Sequence, residues 1–209
     1  RHGRGLICLA MTKTRVDALG LPLMSRNNGT RHETAFTVSI EAKDGVTTGI
    51  SAADRALTLR LLADPITPPD ALTRPGHVFP LRAKPGGVLE RDGHTEASVD
   101  LCRLAGLEPV AMIVELVHDD GSMMRLAAAQ DLADREGLLV ISIADLIAWR
   151  RRHEKHVVRV ADARIPTRHG DFRAVGYSSV YDDVEHVALV KGDVTGEDGE
   201  GHDVLVRVR

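Results

Sequence analysis

Aromatic residues are scarce, at 3% of 209 residues, so the core has to be aliphatic. Cysteine is scarcer still: Cys8 and Cys102 are the two present. They form no pair at metal-ligand spacing, and a reduced, cytoplasmic protein is the default expectation. No apolar run is long enough to cross a bilayer and no secretory hydrophobic segment occurs, so no membrane partner is expected. The net charge is −3. That balance lacks the basic footprint of nucleic-acid binding, and no nucleic-acid partner is expected. No Walker phosphate loop and no dinucleotide fingerprint follow a predicted strand. His94-Thr95-Glu96 matches half of a zinc deaminase signature, but the cysteine pair that has to follow is missing. No serine stands on the sharp turn that a nucleophile elbow needs. No repeat of 20–50 residues is visible.

What is present is ordinary for a globular chain: 43% hydrophobic and 27% charged residues. The length predicts one domain, or one and a piece. The chain is organised around Arg91-Asp92-Gly93-His94-Thr95-Glu96-Ala97, which runs from a loop into a helical pattern. Thr95 reads as the N-cap, Glu96 as first-turn negative charge, and Leu101, Leu104 and Ala105 as the inner face before Gly106. Free N–H groups at such a helix start bind anions, phosphate above all. Gly93 admits a ligand close to the backbone, Arg91 offers a two-pronged clamp, and His94 a metal ligand or proton carrier. A capped helix preceded by two solvated polar residues reads the same stretch equally well.

Around this motif, strands are expected at Leu6–Met11, at Ala35–Ile40 with one polar face, and at Leu138–Ile143. Short or longer helices are expected at Val16–Leu19, after the Ser51 cap with Asp54 in the reciprocal position, and over Met124–Arg135. A last helix is capped by Ser142 with Asp145 three residues on, and turns Leu146 and Trp149 inward. Pro75-Gly76-His77-Val78-Phe79-Pro80 fixes the backbone on both sides of His77. That suits a positioned acid or base, or simply a kinked strand with a surface histidine. Val110–Val117 is a continuous apolar run, the mark of a strand covered on both faces. Glu115 is its only charge, and a carboxylate there has to be paired, metal-bound or partly protonated. Beyond a polar joint at His153–Val158 the texture becomes β-rich. Strands are read at Arg164–Thr167, Gly170–Tyr177 and His186–Asp193, with a polar loop at Gly196–His202 and an alternating end at Asp203–Arg209. The fold class is therefore α+β or α/β: a mixed sheet flanked by helices, followed by a short β-rich partial domain. A core strand so near the first residue, with no initiating methionine, predicts that something preceding it has been left out.

Residues 1–155 closely resemble 3,4-dihydroxy-2-butanone 4-phosphate synthase. The resemblance is carried by Arg1-His2-Gly3, Phe36-Thr37-Val38 and Gly45-Val46-Thr47-Thr48-Gly49-Ile50-Ser51-Ala52-Ala53-Asp54-Arg55. It continues through Arg74-Pro75-Gly76-His77-Val78-Phe79-Pro80-Leu81-Arg82, Gly93-His94-Thr95-Glu96-Ala97 and Glu115. Residues 159–209 resemble the opening of GTP cyclohydrolase II through Ile165-Pro166-Thr167, Gly170-Asp171-Phe172 and His186-Val187-Ala188-Leu189-Val190. The resemblance implies a piece of a bifunctional riboflavin enzyme, truncated at both ends. It implies conversion of ribulose 5-phosphate to 3,4-dihydroxy-2-butanone 4-phosphate and formate with a divalent cation, magnesium or manganese. Carried over by position, Arg91, Asp92, Gly93, His94 and Thr95 hold the sugar phosphate, and His94 also binds the metal. His77 and Glu115 are essential for proton transfer, while Thr48 and Cys8 lie near the substrate. A homodimer with sites at the subunit interface is implied, with His77 serving the neighbouring site. The family's acidic loop, which supplies a glutamate ligand, and the zinc cysteines of GTP cyclohydrolase II are not among these residues. No cyclohydrolase activity is therefore expected of them. A non-catalytic partner and a sugar-phosphate-binding remnant stand as the alternative readings.

Overall fold

The computed structural model describes residues 3–181, 183–195 and 204–208. The chain divides into two compact units, Arg1–Trp149 and Arg150–Arg209. In the first, β1 (Cys8–Met11), β2 (Ile40–Ala42), β3 (Leu72–Arg82) and β4 (Val110–Ile113) form one sheet in the order β2-β3-β1-β4. β1 runs parallel to β3, and the other two pairings are antiparallel. The mixed sheet expected from the sequence is the one observed.

Local chemistry explains the first two helices. Thr12 Oγ1 accepts from Arg15 N–H and starts α1 (Lys13–Ala18). Ser51 Oγ accepts from Asp54 N–H at 3.0 Å and starts α2 (Ala52–Ala63). Such a cap contributes about 1 kcal/mol. The main core lies on the face that α1 and α2 cover. It joins Leu9 and Met11 of β1, Ile40 of β2, Val78 of β3, Val16 and Leu19 around α1, and Leu62 of α2. Thr58 ties α2 to β2, accepting from Ala42 N–H at 2.9 Å and donating to the Asp54 carbonyl. On the opposite face, Ala10 and Ala83 pack against Val99 of α3 (His94–Leu104). Two alanines on the sheet let that helix come close.

Several expected elements are different. Ala35–Ile40 makes only isolated pairings, Phe36 with Leu81 and Thr37 with Leu23, before β2 begins at Ile40. Thr37 N–H donates to the Pro80 carbonyl, and Pro80 has no N–H to return, so no regular ladder forms there. Val110–Val117 is not a strand covered on both faces. β4 stops at Ile113, has β1 as its single neighbour in the sheet, and its side chains are partly exposed. Leu138–Ile143 forms no strand: Leu138–Ile141 are exposed, and Ile143 opens α5 (Ile143–His153). An apolar run sets no secondary structure unless a partner edge is there to pair with it.

α4 (Leu126–Glu136) ends at Gly137 in the left-handed conformation, as the helical spacing predicted. The Ser142 cap also forms, accepting from Asp145 N–H at 3.0 Å. Leu146 is buried as expected, against Val88 and Ala97, but Trp149 is not.

In the second unit, β5 (Val157–Thr167), β6 (Gly170–Ser179) and β7 (Glu185–Val190) form an antiparallel sheet in chain order. Arg150 grips Glu154 through Nε and Nη2, both at 2.7 Å, and Tyr181 donates to the same carboxylate at 3.0 Å. Val204–Val208 forms no strand. The expected loop at Gly196–His202 lies outside the described residues, as do Arg1 and His2.

Candidate functional site

The start of α3 differs from the expected cap. The N-cap lies two residues early, at Gly93, with no side-chain cap bond, and the helix begins at His94. The first helical bond runs from Ala97 N–H to the Gly93 carbonyl. The N–H groups of His94, Thr95 and Glu96 therefore have no partner within the helix, the arrangement that accepts an anion. Thr95, expected to be the cap, is buried instead, and His94 and Asp92 are exposed.

The face of α3 is also rotated from the one expected. Leu101 and Leu104 are exposed, while Glu96 and Asp100 are almost fully buried. These two carboxylates, one turn apart, serve the turn before the helix. Glu96 Oε1 accepts from Lys84 N–H at 2.9 Å, and Asp100 Oδ2 from Val88 N–H at 2.8 Å. Satisfying buried backbone donors outranks the apolar pattern here, because an unpaired buried amide costs more than an exposed leucine. Arg91 is not a free fork. Its Nη1 donates to Glu96 Oε2, Nε and Nη2 to the His32 carbonyl, and Nη2 also to Thr34 Oγ1. A Cβ at Gly93 would meet the Arg91 guanidinium and the Glu96 carboxylate, so a larger residue there would have to move that pair.

A second cluster surrounds His77. Its Nδ1 lies 2.7 Å from Glu41 Oε2 of β2. The loop bearing Thr48 closes over the pair. Gly49 is buried at φ +79°, and a Cβ there would meet Glu41 Oε2 and His77 Nδ1. Asp54 holds that loop by accepting from Thr47 Oγ1 at 2.8 Å and from Gly49 N–H at 3.1 Å. So Asp54, besides facing Ser51 at the start of α2, anchors the loop before it. The Thr47 hydroxyl bond in particular holds its carboxyl below the ordinary aspartate value. Thr48 itself is exposed.

Cys8 is buried in β1, paired with Phe79 of β3 and Ile113 of β4. Burial first, and the Glu115 carboxylate second, push its thiol up to about 11. Glu115 follows the end of β4 and is exposed rather than buried, which corrects the expectation of a lone acid in an apolar interior. Its Oε2 accepts from Leu6 N–H at 2.9 Å.

The sheet relates these groups. Ala10 packs against α3, and Cys8 shares its face by the two-residue period of a strand. Phe79, opposite Cys8, lies on that face, while His77 belongs to the residues of β3 that leave the β2–β3 register. Leu9, Met11 and Val78 point the other way, into the main core. Cys8 and Phe79 are thus on the face that carries α3, and Glu115 is within electrostatic reach of Cys8. Among the described residues, no hydrogen bond or ion pair joins the His77 cluster, the Cys8–Glu115 pair and the Arg91–Glu96 turn to one another. Also among the described residues, no group of three or more His, Cys, Asp or Glu could hold a metal ion. His94 alone does not fit magnesium, which prefers an octahedral shell rich in oxygen. Glu41, Asp54 and Glu96 were not expected at the site. Glu96 in the first turn of α3 and Asp54 three residues after Ser51 carried positional hints, which read as helix electrostatics and helix capping.

The mixed sheet, with an open helix start on one face, is the scaffold of a known enzyme family. Residues 1–149 match the family model of 3,4-dihydroxy-2-butanone 4-phosphate synthase, and the chain belongs to that family. Residues 158–209 match the model of GTP cyclohydrolase II. The riboflavin biosynthesis protein RibBA of Rhodococcus erythropolis is 58% identical over all of this chain and 50% of its own length. The RibBA protein of Nocardia farcinica is 61% identical with the same coverage. The chain thus spans about half the length of these relatives. Among solved structures, RibBX of A. baumannii, a two-domain 3,4-dihydroxy-2-butanone 4-phosphate synthase, is 43% identical. It superposes with a TM-score of 0.79 over 93% of this chain and 57% of its own. A synthase structure in complex with two magnesium ions is 48% identical, with a TM-score of 0.70 over 73% of this chain and 76% of its own.

Proposed function

We propose that the first unit is the 3,4-dihydroxy-2-butanone 4-phosphate synthase part of a bifunctional riboflavin biosynthesis enzyme. It converts ribulose 5-phosphate to 3,4-dihydroxy-2-butanone 4-phosphate and formate. The domains are residues 1–155, and a cyclohydrolase II-like segment from 159 to 209. The observation that carries the reading is the family match over residues 1–149, together with the open start of α3 on the sheet face that bears Cys8.

The sugar phosphate lies at the start of α3, against the open N–H groups of His94 and Thr95, with Asp92 and Gly93 at its edge. Arg91 contributes positive charge from a fixed position, since Glu96 and the His32 carbonyl already occupy its fork. The reaction requires an enediol beside a carbonyl, loss of water and a skeletal rearrangement. Each proton step calls for a side chain that gives and takes a proton, and His77 and Glu115 are the candidates. Cys8, its thiol held protonated, lines the substrate without acting as a thiolate nucleophile. Thr48 lies in the loop that closes on His77.

The relative with two magnesium ions points to a divalent cation, and His94 is the residue of this chain to which we assign a ligand role. No group of three or more His, Cys, Asp or Glu gathers for it among the described residues, and none of the proton steps above is assigned to the ion. The working form is a homodimer acting in the cytoplasm, with His77 serving the neighbouring site. In the full-length protein, His77→Ala or Glu115→Ala should abolish formate release. Near-normal yield from either variant would count against the assignment. Mixing the two inactive variants should restore activity that neither has alone if the residues meet across a subunit interface.

A further inference from the structure

We infer that Glu41 is a positioning residue for the reaction: it fixes His77 with the proton on Nδ1, leaving Nε2 bare to take a proton from substrate. The inference rests on the reading of His77 as a proton-transfer group. A carboxylate only accepts, so at 2.7 Å the hydrogen between the two has to sit on Nδ1. In a neutral ring the free acceptor is then Nε2, and its direction is set by the carboxylate behind it.

Stability does not account for how tightly this pair is built. The His77 side chain is 43% exposed and that of Glu41 22%. A pair so open to water contributes little to folding. Yet three backbone features converge on it. The β2–β3 register jumps between Ile40, opposite Val78, and Glu41, opposite Thr73. The extra residues Arg74–His77 thus bulge from β3, a device that re-aims a side chain. Within the bulge, Gly76 lies against the Ile40–Glu41 backbone so closely that no Cβ fits, and its N–H donates to Ser39 Oγ at 3.2 Å. From the other side Gly49, at positive φ and held by Asp54, closes on both polar atoms. Two close-approach glycines and a bulge therefore enforce one distance between a half-exposed imidazole and a partly buried carboxylate.

The test uses the full-length protein with 15N-labelled histidine at about pH 8, where an unperturbed imidazole is neutral. The His77 signals are identified by their loss in His77→Ala. The expected wild-type spectrum shows Nδ1 protonated and Nε2 bare. An Nε2–H in the wild-type ring, neutral or charged, overturns the proposal without any variant of Glu41. Glu41→Ala and Glu41→Gln should lower kcat for formate release by roughly ten- to a hundredfold, with KM within about twofold. The Nδ1–H tautomer should lose its exclusive population in Glu41→Ala. Wild-type kcat in either variant overturns the proposal as well. Full activity in His77→Ala would instead refute the role of His77 itself, whatever its tautomer.

Discussion

Replacing Arg91 by alanine should cost the fold more than it costs phosphate recognition. Glu96, its partner, is 1% exposed, and the Arg91 side chain itself is only 19% exposed. Without the guanidinium, a buried carboxylate keeps the Lys84 N–H as its remaining partner. Breaking a buried pair from one side costs about 3–5 kcal/mol, because a charge is stranded away from water. Dividing by a denaturant slope of about 2 kcal/mol per molar urea, the unfolding midpoint should fall by roughly 1.5–2.5 M. The assay is urea unfolding of the full-length protein followed by helical circular dichroism, with the helices α1–α4 reporting on the first unit. The double variant Arg91→Met, Glu96→Gln removes both charges and keeps an acceptor for Lys84 N–H. It should recover most of the loss, since a neutral pair of similar volume often replaces a buried ion pair at little cost. A midpoint shift below about 0.5 M for Arg91→Ala would refute the reasoning. So would a double variant no more stable than the single one.

Three further outcomes follow from the geometry. Gly49→Ala should destabilise the protein by about 1 kcal/mol or more through its positive φ. It should also cut formate release by displacing Glu41 and His77; a variant with wild-type melting temperature and turnover would refute that. The Cys8 thiol, moved from 9.0 to about 11, should carry about a hundredfold less thiolate near pH 8 than an unperturbed thiol. Iodoacetamide should therefore label it far more slowly than a short peptide thiol, and equal rates in a time course by mass spectrometry would contradict the burial argument. The same shift makes stability fall as pH rises from 9.0 towards 11, where the unfolded chain ionises first. Asp54 is shifted the other way. Its stabilising effect is present above 3.8, the ordinary value, and is lost as pH falls through the lower folded value. The gap in urea midpoint between wild type and Asp54→Asn should thus be full near neutrality and close in acid. A gap of the same size at both ends would show that the carboxylate charge does not anchor the loop.

The sequence by itself determined what short-range chemistry decides. Ser51 and Ser142 cap their helices and Gly137 ends one, since each bond spans three or four residues of chain. The alternation of strands and helices predicted the α/β class, and ordered motifs spread over most of the chain carried the family resemblance. Tertiary structure decided the rest. Whether an apolar run becomes a strand depends on a partner edge: Val110–Ile113 has one in β1, while Leu138–Ile141 pairs with none. Which face of α3 turns inward was settled by the amides of Lys84 and Val88, which need acceptors that Glu96 and Asp100 provide. Glu115 looked buried because its neighbours are apolar, yet it lies past the end of an edge strand. The site depends most on such distant partners. Glu41 and His77 are 36 residues apart, and only the bulge in β3 and the loop held by Asp54 bring a carboxylate and an imidazole to one hydrogen bond.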